Sequence, residues 1–358
     1  MTIIFFIVFA NYFILILLLG WYWHKPSILT KNTNFAKADV IVACRNEAPN
    51  ITSLLMALLA QKTKEIELYV VDDHSTDNTM ELASTILQEN GCVISSTGEG
   101  KKAALKTGAV QASNPWLIML DADVELPENW LQNAMAVLHS TDADVVLFPI
   151  SLDSKNPLAA LEELDFISLM VTTAATANMG QPTMANGAAM AVKRELWLDA
   201  SAELNPQIAS GDDVFLVHAA KRKKKKVVWA HDASLIVKTK GTCDAKALLH
   251  QRIRWGKKAT KYSDVFTNYL SWSVFLFSMA YVAMGITAVF TLNFLPFLAL
   301  FAVKLVVDLF VLTPAAAWLG NKKRRVDILW VSPLHPFFIL TIALLGFVVR
   351  PTWKDRRI

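Results

Sequence analysis

Residues 116–123 read Trp-Leu-Ile-Met-Leu-Asp-Ala-Asp, an apolar run that ends in two aspartates one residue apart. A short, continuous apolar run is typical of a strand that is buried on both faces of a sheet. Two carboxylates in the loop after such a strand can reach one small, hard cation. The stretch therefore predicts a buried strand over 116–120 and a site for Mg2+ or Mn2+ made by Asp123 and Asp121.

Short β-branched runs alternate with amphipathic stretches on both sides of this strand. The other predicted strands are 38–44, 66–71, 92–95 and 145–149, and the predicted helices are 50–61, 78–88 and 101–112. Such alternation is typical of an α/β fold in which helices connect parallel strands. Ligands of open sheets of this kind bind at the carboxyl ends of the strands. The acidic residues at or just after those ends are Glu47, Asp72, Asp73, Asp121 and Asp123.

Several common site types are missing from the sequence. No Gly-x-Gly-x-x-Gly follows the first predicted strand and no Gly-x-x-x-x-Gly-Lys-Ser/Thr loop occurs, which argues against dehydrogenases and phosphate-loop enzymes. The three cysteines, Cys44, Cys92 and Cys243, suggest neither a zinc site nor a disulfide framework. The basic run at 221–226 lacks interleaved aromatic residues, so we expect no nucleic-acid partner and a solvated helix end near anionic lipid.

The hydrophobic fraction of 54% is high for a soluble protein, and the excess lies at the two ends of the chain. Residues 3–20 are long and apolar enough to span a bilayer. A cleavable signal peptide is the alternative, but the stretch has neither a basic leader nor a small-residue cleavage site. Because Lys25 and Lys31 follow the span, we expect a retained anchor at 1–24 in the cell (inner) membrane, with the next domain in the cytoplasm.

Further apolar segments follow the central domain, which we place at 36–262, and fill residues 269–349. Residues 271–290 and 294–319 predict two membrane-spanning helices, and the basic residues at 321–325 indicate a return to the cytoplasm. The segment 328–349 contains Pro333 and Pro336 and precedes a basic tail at 350–358. A third crossing would put that tail outside, against the charge rule. Either the proline-broken segment is re-entrant or interfacial, or the rule that basic residues stay in the cytoplasm fails at the carboxyl end. In both cases we expect a multi-pass membrane protein.

Lys304 and Asp308 lie four residues apart within one of these segments and therefore share a helix face. Charged residues inside a membrane usually face protein or a water-filled cavity. We expect a mutually neutralising structural pair, and a role in binding an acceptor molecule is the alternative.

Four short motifs follow one another along the chain. They are Asp72-Asp73, Asp121-Ala122-Asp123, Gly211-Asp212-Asp213 and Gln251-Arg252-Ile253-Arg254-Trp255. As a set, over about residues 38–260, they resemble the inverting, membrane-bound family 2 glycosyltransferases. The resemblance implies the GT-A fold, a Rossmann-like mixed sheet with helices on both faces, here with transmembrane helices at both ends of the chain.

The resemblance also implies roles for single residues. Those it places at a nucleotide sugar are Glu47, Asp72, Asp73, Lys101, Asp121, Gln251, Arg254 and Trp255. It makes Asp123 and Asp121 the metal ligands. Asp213, with Asp212 beside it, would take the proton from the acceptor hydroxyl. Two structural alternatives stay open: both aspartates as helix caps, and residues 251–255 as part of an amphipathic helix lying on the membrane.

The sequence thus predicts an enzyme that moves a hexose from a nucleotide sugar, with uridine diphosphate as the expected carrier, to a membrane lipid at the cytoplasmic face. The tail at 350–357 resembles the Trp-Lys/Arg-x-Arg ending of ceramide-glucosyltransferase-like and related bacterial lipid glycosyltransferases. A small processive polysaccharide synthase is the alternative enzyme, although the apolar segments are few for a polymer channel. A catalytically silent assembly subunit is the alternative from another class.

Overall fold

The computed structural model describes residues 2–24, 35–63, 65–203, 212–349, 352–353 and 356–357. The chain divides into two compact units, which we call the sheet unit, 25–151 with 177–240, and the apolar-helix unit, 1–24 with 152–176 and 241–358. Gly211 of the Gly-Asp-Asp motif, the Asp212 side chain and Arg350 of the basic tail lie outside what is described. Residues 152–176 and 241–262, within the predicted central domain, belong to the apolar-helix unit.

The helices are α1 Thr2–Trp23, α2 Ala48–Gln61, α3 Thr79–Leu87, α4 Lys101–Gln111, α5 Trp130–Ser140, α6 Ala159–Asn178, α7 Arg194–Glu203, α8 Asp212–Arg222, α9 Ala245–Ala259, α10 Val265–Thr291, α11 Leu295–Trp318 and α12 Ile328–Val348. The strands are β1 Ala38–Cys44, β2 Ile66–Asp72, β3 Cys92–Ser95, β4 Trp116–Asp121, β5 Val145–Leu147, β6 Ile150–Asp153, β7 Ala189–Lys193, β8 Val227–Trp229, β9 Val237–Lys240, β10 Thr352–Trp353 and β11 Arg356–Arg357. The predicted elements up to β5 are present with small shifts at their ends.

The sheet unit is built on a seven-stranded sheet in the order β3-β2-β1-β4-β7-β5-β8. Both β1 and β4 are buried along nearly their whole length, which is why their sequences are continuously apolar. The sheet is mixed, because β7 runs antiparallel to both β4 and β5. The predicted fold class is confirmed. Strand β5 ends at Leu147 rather than at residue 149, since Pro149 has no N–H for the ladder.

The apolar-helix unit has an aromatic core. Tyr12 of α1 stacks on Phe277 of α10, with the ring centres 3.7 Å apart, and Tyr281 and Leu300 complete the buried cluster. Among the described residues, α1, α10, α11 and α12 are long and apolar enough to cross a membrane. These four helices account for the excess of apolar residues that the sequence places at its two ends.

Helix α12 runs without a break through Pro333 and Pro336, so the predicted interruption by proline is wrong. A proline removes one helical N–H, and packing against neighbouring helices makes this tolerable in apolar surroundings. Inside the unit, Lys304 pairs with Asp308, whose Oδ2 also accepts the Ser332 hydroxyl hydrogen at 2.7 Å. The pair is buried and satisfied by α12, as the neutralising interpretation expects.

Candidate active site

Asp72 lies at the carboxyl edge of the sheet. It ends β2 and is paired with Cys44 of β1 and Ser95 of β3. Its Oδ2 atom accepts a hydrogen bond from the Ser75 N–H at 3.0 Å. Its Oδ1 atom is buried and has no hydrogen-bond partner within the described part of the chain. Such an acceptor is rare in proteins and suits a ligand that brings an N–H or an O–H.

Asp73 holds the beginning of α4. Its Oδ1 atom accepts a hydrogen bond from the Gly100 N–H at 2.8 Å. Gly100 has a φ of +91°, a conformation that favours glycine. Since Lys101 is the first residue of α4, Asp73 fixes the place from which the lysine side chain extends. The contact of Asp73 with a nucleotide stays a prediction.

Lys101 and Asp121 meet at the end of β4. The ammonium group of Lys101 pairs with Asp121 Oδ1 and donates a hydrogen bond to the Gly187 carbonyl at 3.2 Å. The Asp121 N–H donates to the Ala188 carbonyl at 3.0 Å, next to the antiparallel pairing of β4 with β7. This pairing joins two segments that are far apart in sequence and puts residues 187–188 beside the Asp-x-Asp motif.

Asp213 reaches the same point from α8. Its Oδ2 atom accepts the Gly187 N–H at 2.9 Å, and its Oδ1 atom accepts the Val214 N–H at 2.9 Å. A Cβ atom at Gly187 would lie 3.1 Å from Lys101 Nζ and 3.4 Å from Asp213 Oδ2. Glycine therefore lets the lysine and the aspartate both approach this point of the backbone. The bond to Val214 joins neighbouring residues within α8, so it is not the contact with an N–H two or three residues on that a helix cap makes. The bond to Gly187 connects Asp213 to another part of the sheet unit.

Asp123 carries the least compensated negative charge of the site. Burial and then the nearby charges of Asp121 and Glu47 raise the pKa of Asp123 to about 6, against the opposing effect of Lys101. Glu47 precedes α2, and its Oε2 atom accepts a hydrogen bond from Asn50 Nδ2 at 2.7 Å. Three carboxylates therefore interact electrostatically around one lysine, so the site favours an added positive charge.

A divalent cation fits this set of residues. No three His, Cys, Asp or Glu side chains within the described ranges form a group that could hold a metal by themselves. Asp121 and Asp123 supply hard oxygen ligands, and a cation there would relieve the buried negative charge of Asp123. Magnesium and manganese commonly take their remaining ligands from water and substrate phosphates.

The residues of the Gln-x-x-Arg-Trp motif lie on α9 in the apolar-helix unit. Arg252, to which the sequence analysis gave no role, is buried and pairs with Asp165 at 2.6 Å. It also donates to Gln251 Oε1 at 2.6 Å and lies over the Trp255 ring, with its guanidinium carbon 4.3 Å from the ring centre. The substrate contacts expected of Gln251, Arg254 and Trp255 stay predictions.

Two family models match the chain. The model of glycosyl transferase family 2 matches residues 39–187, and the model of glycosyl transferase family group 2 matches residues 116–344, more than half of the chain. The chain belongs to glycosyl transferase family group 2. The predicted family, enzyme class and GT-A fold of the transferase are thereby confirmed, and both matches include the Asp-x-Asp motif. The narrower resemblance to lipid glycosyltransferases stays a prediction.

Named relatives match parts of the transferase. It is 38% identical over 85 residues to a poly-beta-1,6-N-acetyl-D-glucosamine synthase of Staphylococcus aureus, covering 23% of this chain and 21% of that protein. It is 24% identical over 153 residues to a probable glycosyltransferase of Sulfolobus acidocaldarius, covering 40% of this chain and 33% of that protein. The chain therefore spans about a fifth and a third of the lengths of these two relatives.

A solved structure matches nearly the whole transferase. The mannosyltransferase PcManGT from Pyrobaculum calidifontis, in complex with GDP-Man and Mn2+, superposes with a TM-score of 0.60. The sequence identity is 20%, and the match covers 94% of this chain and 98% of that one. At this identity the likeness shows a shared fold.

Gly187 is the site residue that sequence reasoning undervalued. The stretch Asn186-Gly187-Ala188-Ala189 indicated only that small residues allow close approach. In the structure, the carbonyl of Gly187 binds Lys101 and its amide binds Asp213. Only the pairing of β4 with β7 identifies this role, because backbone groups leave no signal in sequence.

The charge at Asp123 predicts a change in stability that depends on pH. An ordinary aspartate carboxyl has a pKa of 3.8, whereas the pKa of Asp123 in the folded protein is about 6. Between these values the folded state binds more protons, so wild-type stability falls as pH rises through this window. At pH near 7.5 without divalent cations, we expect Asp123→Asn to raise the free energy of unfolding by about 1–3 kcal/mol.

Thermal unfolding in detergent across pH 4–8 measures this difference, which should disappear toward the acid end. Asp142→Asn removes a charge at an exposed position and is the matched control. With Mn2+ added, the wild type should gain melting temperature and Asp123→Asn should gain little. An Asn variant that is less stable than the wild type without cations at pH 7.5 would contradict this account of the site.

Proposed function

We propose that the transferase is an inverting hexosyltransferase that moves one sugar from a nucleotide sugar to a membrane lipid at the cytoplasmic face. The observation that carries the proposal is the meeting of Lys101, Asp121 and Asp213 around Gly187. A cation site on one side and a carboxylate oriented by the backbone on the other are what transfer from a nucleoside diphosphate requires.

The sheet unit offers groups for the donor. The unpartnered Asp72 Oδ1 atom suits the ribose hydroxyl or uracil imino group, both of which are donors. Lys101 supplies positive charge toward the diphosphate. A bound Mg2+ or Mn2+ would neutralise charge on the departing diphosphate. A uridine diphosphate sugar is the first donor to test, followed by GDP-Man, which is bound in the solved mannosyltransferase PcManGT.

Asp213 is the proposed base. Two backbone N–H groups orient its carboxylate, one from Val214 and one from Gly187. The acceptor hydroxyl oxygen bonds to the anomeric carbon as the carbon–oxygen bond to the diphosphate breaks, and Asp213 takes the hydroxyl proton. One direct displacement inverts the anomeric centre. Asp212 is proposed to assist Asp213 in catalysis. Arg254 is proposed to contact the diphosphate and Trp255 to form a wall of the acceptor site, with Gln251 supporting the loop.

The apolar helices favour single transfer over polymer synthesis. Tyr12, Phe277 and Tyr281 fill the space among α1, α10 and α11 with stacked aromatic rings. A synthase that threads a polymer across a bilayer requires a passage among its helices. The local identity to the Staphylococcus aureus synthase is the observation that favours the alternative, a small processive synthase.

The two ends of α12 support a particular topology. Arg324, just before α12, donates to both carboxylate oxygens of Glu163 on α6, at 2.8 and 2.9 Å. Just after α12, the Val349 carbonyl accepts a hydrogen bond from Lys257 of α9 at 2.7 Å. The buried pair of Asp165 and Arg252 joins α6 to α9, and the candidate spans among the described residues include neither helix.

A helix that crosses a bilayer has its ends on opposite faces, about 30 Å apart. The residues that flank α12 instead contact α6 and α9, which are joined to each other and are not candidate spans. We infer that α1, α10 and α11 cross the membrane, while the unbroken α12 lies along the cytoplasmic interface. This arrangement keeps the basic tail in the cytoplasm and satisfies the charge rule.

Replacement of the base tests the reaction. We expect Asp213→Asn to lower transfer at least about 100-fold, because the amide cannot take the proton. Nucleotide affinity should persist, since the donor contacts lie elsewhere. The assay incubates purified protein with labelled nucleotide sugars, Mn2+ and a lipid extract, and separates the products. Asp199→Asn, which removes an exposed carboxylate paired with Lys223, is the control.

The product distribution separates the alternatives. A glycolipid with one added sugar supports the proposal, and a ladder of long products supports the synthase. Absence of transfer from every donor, together with full complementation by Asp213→Asn in cells, supports the silent subunit. Near-normal turnover of the purified Asn variant would exclude Asp213 as the base.

Gly187→Ala tests the close approach of the lysine and the aspartate. The added methyl would be tight against Lys101 Nζ and in contact with Asp213 Oδ2, so transfer should fall about tenfold or more while the fold persists. Gly346→Ala, whose methyl would meet no atom within 4 Å, is the matched control. Equal turnover of the two variants, at equal melting temperature, would show that the spacing at Gly187 does not matter.

Cysteine accessibility tests the topology. In a background without the three native cysteines, Asn293→Cys lies between α10 and α11, and Arg357→Cys lies in the basic tail. A membrane-impermeant maleimide should label Asn293→Cys in intact cells and Arg357→Cys only after permeabilisation. Labelling of Arg357→Cys in intact cells would mean that α12 crosses.

A further inference from the structure

A buried ionic network connects α6, α9 and α12 in the apolar-helix unit. Asp165 Oδ2 pairs with Arg252 Nε at 2.6 Å, and Asp165 Oδ1 lies 3.0 Å from His335 Nε2. Burial favours a higher pKa for Asp165, but the Arg252 charge and the His335 contacts outweigh it and hold the pKa below its usual value. Asp165 is therefore a fixed anion that is held from two sides, and its orientation is fully determined.

Arg252 connects Asp165 to two other side chains of the Gln-x-x-Arg-Trp motif. Its Nη1 atom donates to Gln251 Oε1 at 2.6 Å, and its guanidinium lies over the Trp255 ring. Arg252 is buried, whereas Gln251 and Trp255 keep part of their surface accessible. One buried side chain thus contacts two accessible side chains of the motif.

The helix geometry separates Arg252 from Arg254. At roughly 100° per residue, Gln251 and Trp255 point in nearly the same direction, with Arg252 on one flank and Arg254 on the other. Arg252, on the buried side of the helix, therefore restrains the side chains of Gln251 and Trp255. The flank with Arg254 keeps the position that the proposed function gives it.

We propose that Asp165 is a positioning residue of the transferase: it fixes Arg252, which in turn orients the Gln251 amide and the Trp255 ring for substrate. The inference rests on the proposed function, which gives these two residues a place at the substrate. It adds a residue from α6, outside every motif of the sequence, to the machinery for transfer.

The simplest rival is a pair that only attaches α6 to α9. Removing one partner of a buried ion pair leaves an unpaired charge and destabilises a protein, so Asp165→Asn alone does not separate the two roles. Replacing both partners by apolar residues often restores stability. Lysine at position 252 keeps the charge for Asp165 but lacks the planar fork that reaches Gln251 and covers Trp255.

The test uses Arg252→Lys and the double variant Arg252→Met with Asp165→Leu in the full-length protein. We expect both to melt near the wild-type temperature and to lower kcat about 10- to 100-fold, with nucleotide affinity unchanged. A second measurement does not need turnover. In protein labelled with 5-fluorotryptophan, the fluorine resonance of Trp255, assigned with Trp255→Phe, should shift and broaden in both variants.

Arg324→Lys is the matched control. It weakens another forked pair on α6, with Glu163, and no described contact joins Arg324 to Gln251 or Trp255. Its kcat and its Trp255 resonance should equal those of the wild type. The proposal is overturned if folded Arg252→Lys, or the folded double variant, retains wild-type kcat and an unmoved resonance. If the wild-type protein transfers sugar from none of the donors, the proposed function is wrong. The fluorine measurement still decides whether Arg252 orients Trp255.

Discussion

The candidate site depends on the pairing of one antiparallel strand with the central strand of the sheet. Residues 187–188 lie beside the Asp-x-Asp motif because β7 runs along β4. Gly187 then offers its carbonyl to Lys101 and its amide to Asp213. Without this pairing, groups from α4, β4 and α8 would share no common point. A small backbone segment thus organises the charged side chains, and a side chain at that position would separate them.

Charge at this edge of the sheet is out of balance. Asp123 interacts electrostatically with two further carboxylates, Asp121 and Glu47, and with one lysine, so its negative charge is poorly compensated. Repulsion among these carboxylates lowers the stability of the protein, and a divalent cation at the site would relieve it. Under the proposed function, that cation would also attract the negatively charged diphosphate of the donor.

The apolar-helix unit places its charges differently, in closed pairs. The pairs of Arg252 with Asp165 and of Lys304 with Asp308 are buried, and Arg324, which is half-buried, pairs with the buried Glu163. Buried pairs of this kind contribute little net stability, but they tolerate few alternative arrangements. Two of them attach α6, one to α9 and the other to the segment before α12, so these elements keep a defined register.

The sequence by itself determined most of the strands and helices up to β5, the apolar helices, and that carboxylates follow the strands, because burial and periodicity are local properties. It also predicted Asp121, Asp123, Lys101 and Asp213 as site residues through their motifs, and their roles stay predictions. The tertiary structure alone decided the direction of β7, the role of Gly187 and the pairing of Arg252 with Asp165. Each of these depends on a contact between segments that are distant along the chain, and a backbone amide or a buried partner leaves no periodic pattern to read.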